Sequence, residues 1–338
     1  MARVVVRCLA TVGALVALVG ASASGPASSA GSGRVHTALV PGDPYFAGWS
    51  WPATTSKLDA AWNVTLGSPT VTIAVVDTGV TPLGDLARAL VPGVDLVDDS
   101  GNTADTNGHG TAVASVIAAR TDNGIGIAGV CGGCTIMPVR VFDASGSAST
   151  ATVAAGITWA VDHGADVVNL SLSGSRDSPV LDEAITYATG HEVTVVVAAG
   201  NGGSSDAVHD GYPAASSPTA LRVAGVDRNG ALFSWSNHGS WVDIAAPGSV
   251  AALLANGTVS LGVQGTSMAA PYVSGTVGLM LSVNSTLSPA DVKRILLATG
   301  TATAGLDVSS GSRLDAYAAL VGAGHAASAT LAATGGGR

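Results

Sequence analysis

The chain has 338 residues, enough for one large α/β domain or two small ones. Only 11% of them are charged and the formal net charge is −9, which excludes the basic footprint of a nucleic-acid binder. Ala and Val come in short runs broken by Gly, Ser and Asp, so the apolar content marks strands buried on both faces rather than membrane spans.

Arg3 and Arg7 precede an apolar stretch at 9–19, and Ala21-Ser22-Ala23 offers a small-residue cleavage site. Residues 1–23 therefore read as a secretory signal peptide, with an alternative cleavage after Ala30. Its removal leaves an extracellular protein with no membrane partner. Residues 24–50 read as a short N-terminal extension through Pro41 and Trp49. A short helix is predicted at 57–66. Apolar strands at 71–76, 135–142, 166–170, 193–199 and 220–225 then alternate with helical runs at 110–119, 149–163 and 179–189. That alternation predicts an α/β fold, a mainly parallel twisted sheet flanked by helices in three layers. Ser288, Pro289 and Asp291 open a late helix that Gly300 stops. The tail at 322–338 is Ala-, Gly- and Thr-rich and reads as disordered. Within it Leu331-Ala-Ala-Thr-Gly335 is similar to a wall-sorting signal, although only Gly336, Gly337 and Arg338 follow.

Four motifs carry chemistry. Residues 73–80, Ile-Ala-Val-Val-Asp-Thr-Gly-Val, are an apolar strand ending in Asp77. Residues 107–115, Asn-Gly-His-Gly-Thr-Ala-Val-Ala-Ser, place His109 in a glycine-flanked turn before a small-residue helix. Residues 193–201, Val-Thr-Val-Val-Val-Ala-Ala-Gly-Asn, put Asn201 just past a strand end. Residues 265–275, Gly-Thr-Ser-Met-Ala-Ala-Pro-Tyr-Val-Ser-Gly, deliver the Ser267 hydroxyl at the start of a buried helix. A lone serine there is usually an N-cap; a nucleophile needs a base, an acid and an oxyanion donor as well.

In this order the motifs resemble the subtilisin-like serine proteases, the subtilases, over roughly residues 45–320. The resemblance implies a catalytic domain at 51–321, a secreted, monomeric serine endopeptidase acting on polypeptides, and no cofactor for the chemistry. It assigns Ser267 as nucleophile, His109 as general base, Asp77 as the acid that orients it, and Asn201 as oxyanion donor. It implies that substrate pairs as an added strand with Ser171, Leu172 and Ser173 and with Ser145, Gly146 and Ser147. Ala198, Ala199 and Gly200 would wall the pocket for the residue before the scissile bond, with Gly211 as its floor. A pocket bare of side chains implies a large apolar P1 residue; Asp206 and Asp210 are the acids that could oppose this, with His209 beside them. Two positions depart from the family pattern, Ala112 and Tyr272, where histidines are common. The interval after the signal is shorter than the family's folding propeptide.

Other features are weighed beside these. Cys131 and Cys134, in Cys-Gly-Gly-Cys, suit a small-loop disulfide in an exported protein; a metal half-site and a redox pair are the alternatives. Asp95 and Asp98 are candidate calcium ligands, against the reading of a solvated turn. Gly124-Ile-Gly126-Ile-Ala-Gly129 matches a dinucleotide fingerprint, but a helix precedes it and a strand follows, the wrong context. Rival readings of the whole are a catalytically silent binding module of the same fold and a narrow-specificity processing protease.

Overall fold

The computed structural model describes residues 39–174, 177–207 and 211–335. The signal peptide and the first part of the extension lie outside them.

Two short helices, α1 (Trp51–Thr55) and α2 (Leu58–Ala61), lead into β1 (Thr72–Asp77) and β2 (Val94–Asp95). Then come α3 (His109–Ala118), β3 (Thr135–Arg140), α4 (Thr150–Asp162), β4 (Val167–Leu170), α5 (Pro179–Gly190), β5 (Thr194–Ala198) and β6 (Leu221–Val226). The C-terminal part holds β7 (Ile244–Pro247), β8 (Ser249–Leu253), β9 (Val259–Gln264), α6 (Thr266–Val283), α7 (Pro289–Thr299), β10 (Thr301–Ala302), β11 (Ser312–Arg313) and α8 (Ala316–Gly335).

Nine strands form one sheet in the order β10-β11-β7-β6-β5-β4-β1-β3-β2. Every pairing is parallel except β10 with β11. The α/β reading of the sequence holds. Side chains on β1 alternate between two cores, as a period of two requires. Ile73 and Val75 face one core with Val116, Ile117, Val277 and Leu279 of α3 and α6. Ala74 and Val76 face the other with Ile157, Leu181 and Ile185 of α4 and α5. Both faces are covered, so β3 to β5 are buried throughout. The chain winds from β1 to β3 on one side and to β4 on the other. That switch opens a crevice at the carboxyl ends of these strands, where ligands of open α/β sheets bind.

Two expectations need correction, and one pair of strands was not foreseen. The helix expected at 57–66 is only the single turn of α2, because Lys57 takes a left-handed conformation at φ 56° and the chain turns again after Trp62. The tail expected to be disordered continues α8 through Gly335. Ala316, Ala319, Leu320 and Ala323 lie three and four apart and are buried, so this helix has one seated stripe. Asn256-Gly257 turns a hairpin between β8 and β9 that the strand reading omitted. Among the described residues no helix is long and apolar enough to cross a membrane.

Candidate active site

Asp77 ends β1 at the crevice, and His109 opens α3 beside it. The His109 Nδ1 lies 2.8 Å from Asp77 Oδ1 and 3.0 Å from Oδ2. An ionised carboxylate only accepts, so Nδ1 carries the proton and Nε2 keeps its lone pair toward the cleft. Gly110 makes the approach feasible: a Cβ there would collide with the Gly79 carbonyl and press on Asp77 Cβ. Asp77 is itself fixed by the Thr78 N–H, which donates to Oδ1 at 2.7 Å. Burial works against a charged imidazole. The charge and hydrogen bond of Asp77, with the charge of Asp105, outweigh it and hold the His109 pKa above its ordinary value.

Ser267 is the second residue of α6, just after Gly265, whose φ of 148° is open to glycine alone. The α6 helix is buried from Met268 to Leu281, so its start is rigidly placed. Pro271 lacks the N–H that would bond the Ser267 carbonyl four residues earlier. Ser171 Oγ supplies that bond instead, donating to Ser267 O at 2.8 Å. Ser267 Oγ donates back to Ser171 O at 3.1 Å. No described hydrogen bond joins Ser267 to His109; the hydroxyl is turned onto Ser171. Behind this pair, Asn169 Nδ2 donates to Ser171 Oγ at 2.9 Å and Ser274 Oγ donates to Asn169 Oδ1 at 2.8 Å.

Asn201 follows β5. Its Oδ1 accepts from the Thr266 N–H at 2.8 Å and the Thr266 hydroxyl at 3.0 Å. That fixes the amide orientation and leaves Nδ2 as the donor end beside the start of α6. The Ser267 N–H is one of the helix's first N–H groups and has no acceptor among the described bonds.

A cleft of about 270 Å³ is lined by Asp77, Thr78, Asn107, His109, Phe142, Gly146, Ser171, Leu172, Ser173 and Ser267. It gathers the sequence-assigned triad, the 171–173 edge and one residue of the second edge. Ser145 and Ser147 are absent from its lining. Their backbone N–H groups, with that of Gly146, all donate to Asp143 and are taken up within the turn. Ala198, Ala199 and Gly200 are buried outside this cleft, with Gly200 N donating to Thr266 Oγ1 at 3.0 Å. Gly211 does not line it either: the space for its Cβ is filled by the Trp241 ring and Ala215. His209 and Asp210 lie outside the described residues.

The calcium candidates do not fit a dication. The Arg140 guanidinium sits on both, 3.0 Å from Asp95 and 3.4 Å from Asp98. Among the described residues no cluster of three or more His, Cys, Asp or Glu could hold a metal ion. Cys131 and Cys134 are fully buried, at disulfide distance, with Cα atoms 5.3 Å apart. The glycine-rich loop at 124–129 does run from α3 to β3, against a dinucleotide site.

Sequence reading missed the supporting residues Asp105, Asn169, Thr266 and Ser274. The signals were there: an Asp four residues before His109, and a Thr beside Ser267.

Comparison with known proteins bears on the same residues. The subtilase family profile matches residues 68–314. Thermitase of Thermoactinomyces vulgaris is 42% identical over 244 residues, covering 72% of this chain and 86% of thermitase. A thermophilic serine proteinase of Bacillus sp. (strain AK1) is 39% identical over 248 residues. That match covers 73% of this chain but 61% of the Bacillus protein, so the chain spans less than two thirds of that relative. The solved structure of proteases from Pseudoalteromonas arctica PAMC 21717 superposes with a TM-score of 0.74 at 31% identity, covering 84% of this chain and 100% of that one. The family profile and the sequence relatives agree, and the chain belongs to the subtilase family.

Proposed function

We propose that this protein is a secreted serine endopeptidase that hydrolyses polypeptides through Asp77, His109 and Ser267. The observation that carries the reading is the His109–Asp77 pair, Nδ1 to Oδ1 at 2.8 Å, in one cleft with Ser267. In the reaction the Ser267 hydroxyl rotates from Ser171 O toward His109 Nε2. Its oxygen attacks the scissile carbonyl as His109 takes the proton. Asp77 holds the imidazole in one tautomer and stabilises the imidazolium. The oxyanion sits between Asn201 Nδ2 and the Ser267 N–H, both outside other bonds in the resting site. The C–N bond then breaks, the amine leaves with the proton from His109, and an acyl-serine remains. Water, deprotonated by the same imidazole, attacks the ester, and the proton returns to Ser267.

Leu172 and Phe142 give the cleft apolar surface. Such a surface suits apolar substrate side chains, and the preference proposed for the residue before the scissile bond is Leu, Phe, Tyr or Met. Burying such a group is worth about 1.5–3 kcal/mol, or roughly 10–150-fold in kcat/KM over Gly. The test is cleavage of matched peptides that differ at that residue, with Ser267→Ala as control. The reading requires apolar peptides to be cut fastest and the variant to be silent. Equal turnover by the variant, or a tenfold preference for Lys or Arg, would count against it.

A further inference from the structure

Asp105 lies in the loop before α3, and the steps above do not use it. Its Oδ1 accepts from Thr78 Oγ1 at 2.8 Å, from Asn107 N at 2.9 Å and from Gly108 N at 2.7 Å. Its Oδ2 accepts from Thr111 N at 2.8 Å and Thr111 Oγ1 at 2.7 Å. These donors flank His109 on both sides in the chain, and Thr78 is the neighbour of Asp77. The brace extends one bond further each way. Thr78 Oγ1 accepts from Gly110 N at 2.9 Å, and Thr111 Oγ1 accepts from Thr81 N at 3.1 Å.

The need for this brace is local. The N-cap of α3 is Gly108, which has no side chain to cap with. The first helical N–H groups therefore take outside acceptors: His109 N from Asn107 Oδ1, Gly110 N from Thr78 Oγ1, and Thr111 N from Asp105. One carboxylate thus ties the end of β1 to the turn that aims the imidazole. The charged groups acting on His109 are Asp77 from β1 and this Asp105. The other residues lining the cleft, among them Ser171 just after β4, Ser267 of α6, Phe142 and Gly146, carry no charge.

We propose that Asp105 is a positioning residue for the reaction, bracing the His109 turn against the end of β1 and setting a second negative charge beside the imidazolium. This rests on the serine-peptidase reading of the same site.

The experiment is kcat and KM across about pH 5–10 for wild type, Asp105→Asn and Thr78→Val, with Tm for each. Asp105→Asn should lower kcat about 10–100-fold with KM little changed. It should also move the acid limb of kcat/KM to lower pH, because a charge that favours the imidazolium is gone. Thr78→Val keeps that charge while cutting the brace from its other end. It should lower kcat and leave the limb in place. A folded Asp105→Asn enzyme with wild-type kcat, or with an unmoved acid limb and losses that only follow Tm, would overturn the proposal. Should Asp105→Asn not fold, Thr78→Val decides: wild-type kcat would overturn it. A wild-type enzyme that cleaves nothing sinks the peptidase reading instead, so the two failures are distinct.

Discussion

Ser171 and Ser267 are clasped reciprocally: Ser171 Oγ donates to the Ser267 carbonyl at 2.8 Å, and Ser267 Oγ donates to the Ser171 carbonyl at 3.1 Å. The first bond replaces the helical partner that Pro271 cannot provide. The second holds the Ser267 hydroxyl on the Ser171 carbonyl rather than on His109. Ser171→Ala should leave the Ser267 carbonyl and the fully buried Asn169 amide each short of a partner. Unfolding stability should fall by about 1–3 kcal/mol. A urea melt with unchanged midpoint would show that the clasp contributes nothing.

Asn201→Leu should lower kcat about 10²–10³-fold with KM nearly unchanged, the scale seen when one oxyanion donor is removed. The amide is oriented by Thr266, and in the proposed mechanism it acts when charge develops on the substrate oxygen. An effect confined to KM would make Asn201 a pocket residue only.

How much of this was legible in the sequence differs by element. Asp77 and Asn201 each lie at the end of an apolar strand, and His109 and Ser267 each lie at the start of a small-residue helix behind a glycine. Such a boundary is local, and it survives in the sequence. Asp105 sits four residues before His109, but its tie to the end of β1 runs through Thr78, 27 positions earlier, and that tie is not readable from local sequence. The acids at 95 and 98 suggested a metal because their partner Arg140 lies 45 and 42 positions away. The tail suggested disorder by composition. Alanine is also the best helix former, and α8 enters the tail from a stripe at 316, 319, 320 and 323 that packs on α6 and α7.

The acid limb of kcat/KM should have its midpoint above 6.5, the ordinary histidine value. Burial lowers the pKa of His109, but Asp77 and Asp105 more than offset it. The base works unprotonated, so activity is absent below the raised pKa and develops as pH rises through it. A midpoint below 6.5, or a flat rate from about pH 5 to 9, would contradict this electrostatic balance.

Cys131 and Cys134 pack on Ile73 and Gly278, in the core under α6. Intact mass of the native protein, alkylated before and after denaturing reduction, should show two thiols only after reduction. Alkylation of both cysteines without reductant would refute a bridge.

The central claim is that Ser267 is a nucleophile activated by His109. A fluorophosphonate probe, which reacts with activated serines, measures this directly. Peptide mapping of the labelled wild type should put a single adduct on Ser267. Ser267→Ala should take none, and His109→Ala should react far more slowly. A folded wild type that stays unlabelled, or a Ser267→Ala protein that labels equally, would contradict the account.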